Sequence, residues 1–282
     1  MLVNMKEMLA KAKIENYAVA HFNINNLEWT KFILEACEEN RSPVILGVSE
    51  GAIKYMGGYS VVSSIVYSLV KELEIKVPVA LHLDHGSSVS SCKKAIDAGF
   101  TSVMIDGSKY SLEENVAMTK EVVTYAHSKN VTVEAEIGAI GGEEDGIANE
   151  VLYATVEDAV ILSKTGIDFL APALGSVHGL YKGEPNLNFD RMKQISEITN
   201  LPLVLHGGTG IPDEQIKMAI HCGICKLNIN TELQIAWTNA VRIFLAKNVQ
   251  VYDPRKVIKS GENVMKEAIK KKLELLGSIG KA

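Results

Sequence analysis

Eight short β-rich runs alternate with amphipathic helical segments along this chain, and this alternation restricts the fold more than any other feature. The runs are YAVAHFN (17–23), PVILGVS (43–49), VPVALHLD (77–84), FTSVMID (100–106), TVEAEIG (132–138), FLAPAL (169–174), LPLVLHGG (201–208) and CKLNINT (225–231). Strands separated by helices are expected to run parallel. Eight such units predict an α/β fold in which the sheet closes into a (β/α)₈ TIM barrel.

The whole chain, residues 1–282, is expected to form a single barrel domain, since such a barrel needs roughly 250 residues. The segment DPRKVIKSGENVMKEAIKKKLELLG (253–277) predicts an extra C-terminal helix after the eighth unit. A doubly wound open sheet is the structural alternative. It is disfavoured because no GxGxxG follows the first run, and because polar residues follow nearly every run instead of one switch point.

The charge balance and the N-terminus exclude several classes of partner. With 29 basic and 34 acidic residues, the chain has no positive excess to neutralise a nucleic-acid backbone. The first segment, MLVNMKEMLAKAKIEN, lacks the apolar core of a signal peptide, and no apolar run approaches the roughly 20 residues that span a bilayer. We therefore expect a cytoplasmic protein that binds neither nucleic acid nor membrane.

The four cysteines, Cys37, Cys92, Cys222 and Cys225, are too few and too scattered to form a disulfide framework. Cys222 and Cys225 have the spacing of a redox pair or of half a zinc site. However, they lie where a helix ends at a glycine and a strand begins, and no second CxxC is present. Buried structural thiols are the favoured interpretation.

Polar residues lie at or just after the carboxyl end of nearly every predicted strand, where the loops of such a barrel carry its chemistry. They are Asn23, Ser49, Asp84, His85, Asp106, Glu136, His178, His206, Asn228 and Asn230. Any one of them could serve only to form a turn, but the set is too large for turn formation alone. Because the carboxyl ends of the strands meet at one mouth of a closed barrel, these side chains are expected to form one site.

Three of the histidines, His85, His178 and His206, predict a metal centre at this mouth. Each is followed by glycine, which lets the backbone approach a ligand closely. Three neutral imidazoles with one open coordination position are typical of catalytic zinc. Asp84 precedes the first of them and could act as acid or base towards a metal-bound substrate.

Asp106 and Glu136 could bind a second metal position, or they could only cap and pair at a polar rim. His82 alternates with Asp84 on one strand face and is interpreted as a hydrogen-bond partner of the site. The remaining histidines, His21, His127 and His221, are treated as structural or surface residues.

Two segments predict a phosphate-binding cradle. Gly207-Gly208-Thr209-Gly210 begins at the end of the seventh run and Asn228-Ile229-Asn230-Thr231 ends the eighth, and each leads into a helix. Barrels of this kind commonly bind phosphate there, with backbone N–H groups and helix N-termini. The acidic, glycine-rich segment 141–146 is either a mobile loop that brings a carboxylate into a closed site or a solvated turn.

Six segments carry a resemblance to a known family: HLDHGSS (82–88), EAEIGAIGGEEDG (134–146), PALGSVHGLYKGEPNL (172–187), LHGGTGIP (205–212), KLNINTEL (226–233) and YDPRK (252–256). The chain resembles the class II, metal-dependent fructose-bisphosphate aldolases essentially from end to end. The resemblance implies a lyase of glycolysis, a zinc barrel assembled as a homodimer or homotetramer. Its reaction is the reversible cleavage of fructose 1,6-bisphosphate to dihydroxyacetone phosphate and glyceraldehyde 3-phosphate.

Carried over to this sequence, the resemblance implies zinc ligation by His85, His178 and His206 and acid/base catalysis by Asp84. It implies a second metal position at Asp106 and Glu136, and a loop base, Glu144, that removes a proton from dihydroxyacetone phosphate. A monovalent cation is a further candidate cofactor.

The family's substrate contacts are carried over in the same way. Those to the triose phosphate fall on Gly179, Gly207, Gly208, Thr209, Asn228, Ile229, Asn230 and Thr231. Ser49 matches a contact on the aldehyde side. Arg255 resembles an arginine that reaches the distal phosphate from the partner subunit.

Several alternatives stay open at this point. Family members that cleave tagatose 1,6-bisphosphate or a phosphorylated deoxy-ketogluconate share these motifs. The glycine segments 47–51 and 207–210 favour the fructose enzymes, whereas Ala236-Trp237-Thr238 is similar to the deoxy-ketogluconate type.

A Schiff-base aldolase using Lys226 would leave the three histidines without a role. A metal-dependent hydrolase would usually carry a His-x-His pair on the first strand, and a binding role without catalysis would not depend on metal.

Overall fold

The computed structural model describes residues 2–144, 147–149, 152–181 and 183–282. Its strands are β1 (Val19–Asn23), β2 (Val44–Ser49), β3 (Val79–Gly86), β4 (Ser102–Ile105), β5 (Thr132–Ile137), β6 (Gly141–Glu144), β7 (Ile147–Asn149), β8 (Phe169–Pro172), β9 (Val177–His178), β10 (Leu203–Leu205) and β11 (Ile224–Ile229). Eight of them close into a barrel in the order β1-β11-β10-β8-β5-β4-β3-β2. Neighbours in the barrel are parallel, which confirms the predicted fold class.

Helices cover the outside of the barrel and connect its strands. They are α1 (Lys6–Glu15), α2 (Leu27–Glu39), α3 (Glu50–Met56), α4 (Tyr59–Glu72), α5 (Val89–Asp97), α6 (Leu112–His127), α7 (Val156–Ser163), α8 (Phe189–Thr199), α9 (Asp213–His221), α10 (Thr231–Lys247), α11 (Pro254–Lys259) and α12 (Glu262–Leu276). Several begin at a side-chain cap, such as the capping box of Ser111 and Glu114 on α6. No helix in the described ranges is long and apolar enough to cross a membrane.

The interior of the barrel is apolar at one end and polar at the other. At the amino-terminal end of the strands, Met5, Met8 and Leu9 on and beside α1 pack against Val19 and Phe169 and close the opening. Further along the strands the inward positions are taken by four fully buried polar side chains, His21, His82, Glu134 and Lys226. Chemistry is therefore confined to the carboxyl end, as the fold class predicts.

A second, three-stranded sheet lies over that end of the barrel. β6 pairs antiparallel with β7, and β6 also pairs parallel with β9, so that Gly142 lies opposite His178. The sequence suggested only a loop or turn for residues 141–146. These strands escape prediction because they are two to four residues long and have no apolar alternation.

The C-terminal tail forms two helices, α11 and α12, instead of the single extra helix predicted. The break falls at Gly261, where a Cβ atom would lie 2.2 Å from the Trp237 ring. Trp237 also packs edge-on against Trp29 and donates Nε1–H to the carbonyl of Ile258 at 3.2 Å. The close approach of the Trp237 ring therefore requires glycine where the helices meet.

All four cysteines are buried free thiols, as expected. Burial raises the pKa of Cys225 to about 12, with Lys13 opposing the shift, so this thiol stays protonated at neutral pH. Thiolate is the reactive and metal-binding form. The Cys222–Cys225 pair therefore has the character of structural thiols.

Candidate active site

The three predicted histidines converge at the carboxyl end of the barrel. One ligand atom from each of His85, His178 and His206 lies within 4.8 Å of the other two. The ring centroids are 4.7 Å apart for His85 and His206, 5.0 Å for His85 and His178, and 5.8 Å for His178 and His206. These three residues are far apart in the sequence, so it is the closure of the barrel that brings them together.

His206, directly after β10, is oriented from inside the barrel. Its Nε2 lies 2.9 Å from Glu134 Oε1, and Glu134 Oε2 accepts a hydrogen bond from Lys226 Nζ at 2.7 Å. Burial lowers the pKa of His206 to about 4, although the bond to Glu134 acts in the opposite direction. The imidazole is therefore neutral at pH 7 and has a lone pair available.

His85, near the end of β3, is held by a carboxylate in the same manner. Its Nδ1 is 2.9 Å from Asp106 Oδ2 and 3.8 Å from Glu136 Oε2. Its backbone has φ of 48°, a left-handed conformation that a non-glycine residue adopts only when its surroundings enforce it. This turn re-aims the ring so that Nε2 faces His206 Nδ1 at 2.9 Å.

The donor set fits a divalent metal ion such as zinc. If His85 donates its Nδ1–H to Asp106 and His206 donates its Nε2–H to Glu134, then His85 Nε2 and His206 Nδ1, which face each other, both carry lone pairs. Two lone pairs converging at 2.9 Å require a cation or a proton between them. Carboxylates that fix the tautomer of ligating imidazoles are the usual support of zinc sites. Burial, followed by the neighbouring His85 and His206, also lowers the pKa of His178 well below its ordinary value.

Asp84, the predicted acid/base residue, is buried beside this cluster. Its Oδ2 accepts from Asn23 Nδ2 at 2.8 Å, and its Oδ1 accepts from Asn228 Nδ2 at 3.3 Å. His21 Nε2 approaches Oδ2 at 3.5 Å. Burial alone would raise the pKa of Asp84, but His21 and the other histidines outweigh it and lower the pKa well below its ordinary value. Asp84 is thus an ionised base in its resting form.

The predicted cradle forms a cavity of about 170 Å³ next to the histidines. Its lining comprises Asn23, His178, Gly179, Gly207, Gly208, Thr209, Asn228, Asn230, Thr231 and Gln234. Helix α10 begins at Thr231 in this lining, and the side chain of the preceding Asn230 does not cap it. Within the described residues, the Oδ1 atoms of Asn228 and Asn230 have no hydrogen-bond partner. A glycine-rich loop that faces the N-terminus of α10, where Thr209 Oγ1 accepts only the Glu232 N–H at 3.2 Å, is suited to an anionic group.

Other predicted residues lie around this centre. Ser49 is paired in register with Asp84, and its hydroxyl oxygen accepts from Ala52 N at 3.2 Å, which leaves its O–H free to donate. Ile229 is fully buried and does not line the cavity, although its neighbours Asn228 and Asn230 do. Arg255 is on α11 and does not line this cavity, and its 89% exposed side chain binds Asp253. The side chain of Glu144 lies outside the described residues.

Sequence reasoning missed the inner support of the site. Glu134 connects His206, Lys226 and His82, and His21, which was expected to be structural or at the surface, contacts Asp84. The available signal was strand alternation: Glu134 is two residues before Glu136 and therefore shares its inward face. His82 lies on the same inner face, with Nδ1 2.9 Å from Ser102 Oγ and Nε2 3.6 Å from Glu134 Oε2.

A larger cavity, of about 680 Å³, lies at the opposite end of the barrel, beside α1. Its walls include Leu2, Met8, Tyr17 and Phe100, and it contains none of the seven histidines. The larger of these two cavities is therefore not the one next to the histidine cluster. The smaller cavity is the candidate active site because it adjoins the convergent titratable groups.

Comparison with known proteins agrees with this geometry. The family model described as class-II fructose-bisphosphate aldolase matches residues 3–281. The chain belongs to this family. It is 58% identical to a fructose-bisphosphate aldolase of Geobacillus stearothermophilus, covering 100% of this chain and 99% of that protein. The chain is thus a carbon–carbon lyase of the class II aldolase type.

Two further relatives show the range of the family around this chain. A 6-phospho-5-dehydro-2-deoxy-D-gluconate aldolase of Bacillus licheniformis is 54% identical, covering 99% of this chain and 96% of that protein. The crystal structure of the YdjI aldolase from Escherichia coli K12 superposes with a TM-score of 0.86 at 35% identity, covering 100% of both chains. The chain therefore has the fold of an aldolase of this family, and its relatives in the family bear the names of aldolases with different substrates.

Proposed function

We propose that this aldolase cleaves fructose 1,6-bisphosphate to dihydroxyacetone phosphate and glyceraldehyde 3-phosphate in a zinc-dependent reaction. The observation that carries the proposal is the convergence of His85, His178 and His206 beside ionised Asp84 and the glycine-lined cavity. Zinc bound by the three imidazoles would supply Lewis-acid stabilisation of charge on the substrate ketone oxygen. Asp106 and Glu136 are the proposed second metal position, and a monovalent cation is a further proposed cofactor.

The residues of the chain then divide the proton transfers between them. In the cleavage direction Asp84 takes the proton of the C4 hydroxyl, and Asn23 and Asn228 keep its carboxylate oriented. In the condensation direction Glu144 removes a proton from dihydroxyacetone phosphate. Asp84 then gives its proton to the alkoxide that forms at C4 and so produces the hydroxyl, as microscopic reversibility requires.

The cavity holds the phosphate of the ketone half. Backbone N–H groups of Gly179, Gly207, Gly208 and the turn at 228–231 are the proposed donors, together with Thr209. Ser49 donates to the aldehyde half. Arg255 binds the distal phosphate of a neighbouring active site in a homodimer or homotetramer, which agrees with its 89% exposed side chain.

A second candidate substrate is 6-phospho-5-dehydro-2-deoxy-D-gluconate, because a 54% identical relative bears that name. Both substrates have the same phosphorylated ketone half, whereas the distal half ends in a phosphate in one and in a carboxylate in the other. The Ala236-Trp237-Thr238 motif does not favour the second candidate, since Trp237 packs against Trp29 in the helical layer. Tagatose 1,6-bisphosphate, which differs only at C4, is the third substrate to compare.

The test is a coupled triose-phosphate assay with all three substrates, before and after EDTA treatment and with zinc added back. We expect activity to be lost with EDTA, restored by zinc, and highest with fructose 1,6-bisphosphate. EDTA-resistant cleavage would refute the metal site, while zinc-dependent turnover of another substrate alone would change only the substrate. We further propose that residues 1–282 form one domain that acts in glycolysis in the cytoplasm.

A further inference from the structure

The hydroxyl of Tyr181 lies between the two loops that carry metal ligands. The Val177 N–H donates to Tyr181 Oη at 3.1 Å, and Tyr181 Oη donates to the carbonyl oxygen of Gly207 at 3.1 Å. Val177 directly precedes His178, and Gly207 directly follows His206. One phenol oxygen therefore links the backbones next to two of the three imidazoles.

The loops at Val177–His178 and His206–Gly207 are also in direct backbone contact. Gly207 has φ of 66°, and a Cβ atom on it would lie 2.1 Å from the Val177 carbonyl oxygen. On the other side of Val177–His178, a Cβ atom on Gly142 would lie 2.2 Å from the His178 carbonyl oxygen. Segments 141–144, 177–178 and 206–208 are thus stacked backbone against backbone, so a shift in one displaces the next.

Gly207 takes part in both the phosphate cavity and the metal-binding region. It lines the cavity proposed for the substrate phosphate, and its neighbour His206 is a proposed metal ligand. The Tyr181 ring is half-buried and packs on the core, and burial raises the pKa of its hydroxyl, so it remains a hydrogen-bond donor over the physiological pH range. Its second partner, Val177, is joined through β9 to the β6 strand that ends at Glu144.

We propose that Tyr181 is a positioning residue that couples phosphate binding at the glycine loop to metal binding by His178 and His206. This inference rests on the proposed function, since it takes the histidines as metal ligands and the glycine loop as the phosphate site. When an anion orders the Gly207 backbone, the Tyr181 hydroxyl holds Val177, and with it His178, at the distance that the metal requires. By linkage, bound metal tightens the anion site by the same factor.

The test compares the full-length wild type with Tyr181→Phe, which removes one oxygen and keeps the ring. Zinc affinity is measured by chelator competition with and without inorganic phosphate. Tyr67→Phe is the matched control, because the Tyr67 hydroxyl also donates to a glycine carbonyl, that of Gly99 at 3.1 Å, before β4 at the opposite end of the barrel. The unfolding temperature of each metal-free protein reports any general loss of structure.

We expect Tyr181→Phe to weaken zinc binding by about 10- to 100-fold, as is typical when the support of a metal ligand is removed. Phosphate should tighten zinc binding in the wild type and in Tyr67→Phe, and by at least about threefold less in Tyr181→Phe. Equal enhancement by phosphate in all three proteins would overturn the proposal, as would an unchanged zinc affinity. Failure of the wild type to bind zinc would overturn the proposed function as well.

A measurement on the wild type alone keeps the proposal testable if the variant folds poorly. In the zinc-loaded protein, inorganic phosphate should slow hydrogen–deuterium exchange at the Val177 amide, because this N–H donates to the oxygen that also binds Gly207. Exchange at Val177 that does not respond to phosphate, while the Gly207–Thr209 amides do respond, would contradict the coupling.

Discussion

Asp84 shows how single residues tune the site. Its carboxylate receives two amide hydrogen bonds and a histidine contact while being almost fully buried, so the ionised form is favoured despite the low polarity around it. These partners come from β1 and β11, the strands that meet where the barrel closes. The residue at the centre of the proposed proton transfer is therefore fixed by closure of the barrel.

Asp84→Asn should abolish proton transfer with little effect on metal binding. Asparagine has nearly the same shape and can still accept a hydrogen bond, but it cannot take a proton at neutral pH. General acid–base catalysis typically contributes 10²- to 10⁴-fold, so we expect kcat to fall by about that factor. Cleavage kinetics and the zinc content of the purified variant check this, and a variant that loses its zinc would place Asp84 among the ligands instead.

Lys226 is the residue where the structure decides between two mechanisms. Its amine is fully buried inside the barrel and bound to Glu134 at 2.7 Å, beneath His206 instead of in the cavity. A Schiff-base lysine must reach the substrate carbonyl as a neutral amine. Borohydride added during turnover should therefore trap no substrate on Lys226, and mass spectrometry of the treated protein is the measurement.

The same ion pair predicts a stability effect. Lys226→Met leaves the Glu134 carboxylate buried without its main cation, which should lower the free energy of unfolding by about 3–5 kcal/mol. Combining it with Glu134→Gln removes that charge and should recover part of the loss. Urea unfolding of the two variants is the measurement, and an equal loss in both would contradict a charge-based cause.

At the scale of elements, the sequence predicts the barrel strands well and the small sheet above them poorly. Apolar runs bounded by helices identify β1 to β5, β8, β10 and β11 because inward and outward faces are both buried. β6 and β9 have no such pattern; they pair because Gly142 allows its backbone to lie against His178. The position of Tyr181 between two loops depends on that contact and cannot be read from spacing.

Gly207→Ala should damage the site while leaving the barrel folded. The new methyl group would collide with the Val177 carbonyl, and a left-handed backbone costs a non-glycine residue roughly 1–2 kcal/mol. We expect kcat/KM to fall at least about tenfold, since small misplacements of binding groups are costly in catalysis. Gly183→Ala is the control, because a Cβ atom there meets nothing within 4 Å. Equal activity of the two variants would exclude this contact as a constraint.

At the scale of the whole molecule, the chain concentrates titratable groups in the carboxyl half of one barrel and closes the other end with apolar side chains of α1. The sequence gives the number of barrel units and most of the residues at the mouth, because strand ends can be counted. It does not give Glu134 or His21 their roles, since those depend on which strands become neighbours when the sheet closes. Closure is a property of the molecule and not of any segment.

Because so many titratable groups are buried in the barrel, the metal-free protein is expected to lose stability at acidic pH. Burial lowers the pKa of His21, His82, His178 and His206, whereas in the unfolded chain each titrates near 6.5. Below pH 6.5 the unfolded chain therefore binds more protons than the folded one, so the free energy of unfolding falls as the pH falls. For His206 the window extends from about 6.5 down to the folded pKa of about 4. Asp84 and Glu134, with lowered pKa values, add to the same trend below about pH 4.

The measurement is urea unfolding of the EDTA-treated protein from pH 7.5 to 4.5. We expect a nearly constant free energy of unfolding above pH 7 and a decline of several kcal/mol towards pH 4.5, because several buried imidazoles contribute and each unit of pKa shift corresponds to about 1.4 kcal/mol. Zinc should steepen the decline, since protons compete with the metal for the same nitrogens. A free energy of unfolding that stays level between pH 6.5 and 4.5 would mean that these histidines are protonated in the folded protein, which is incompatible with neutral metal ligands.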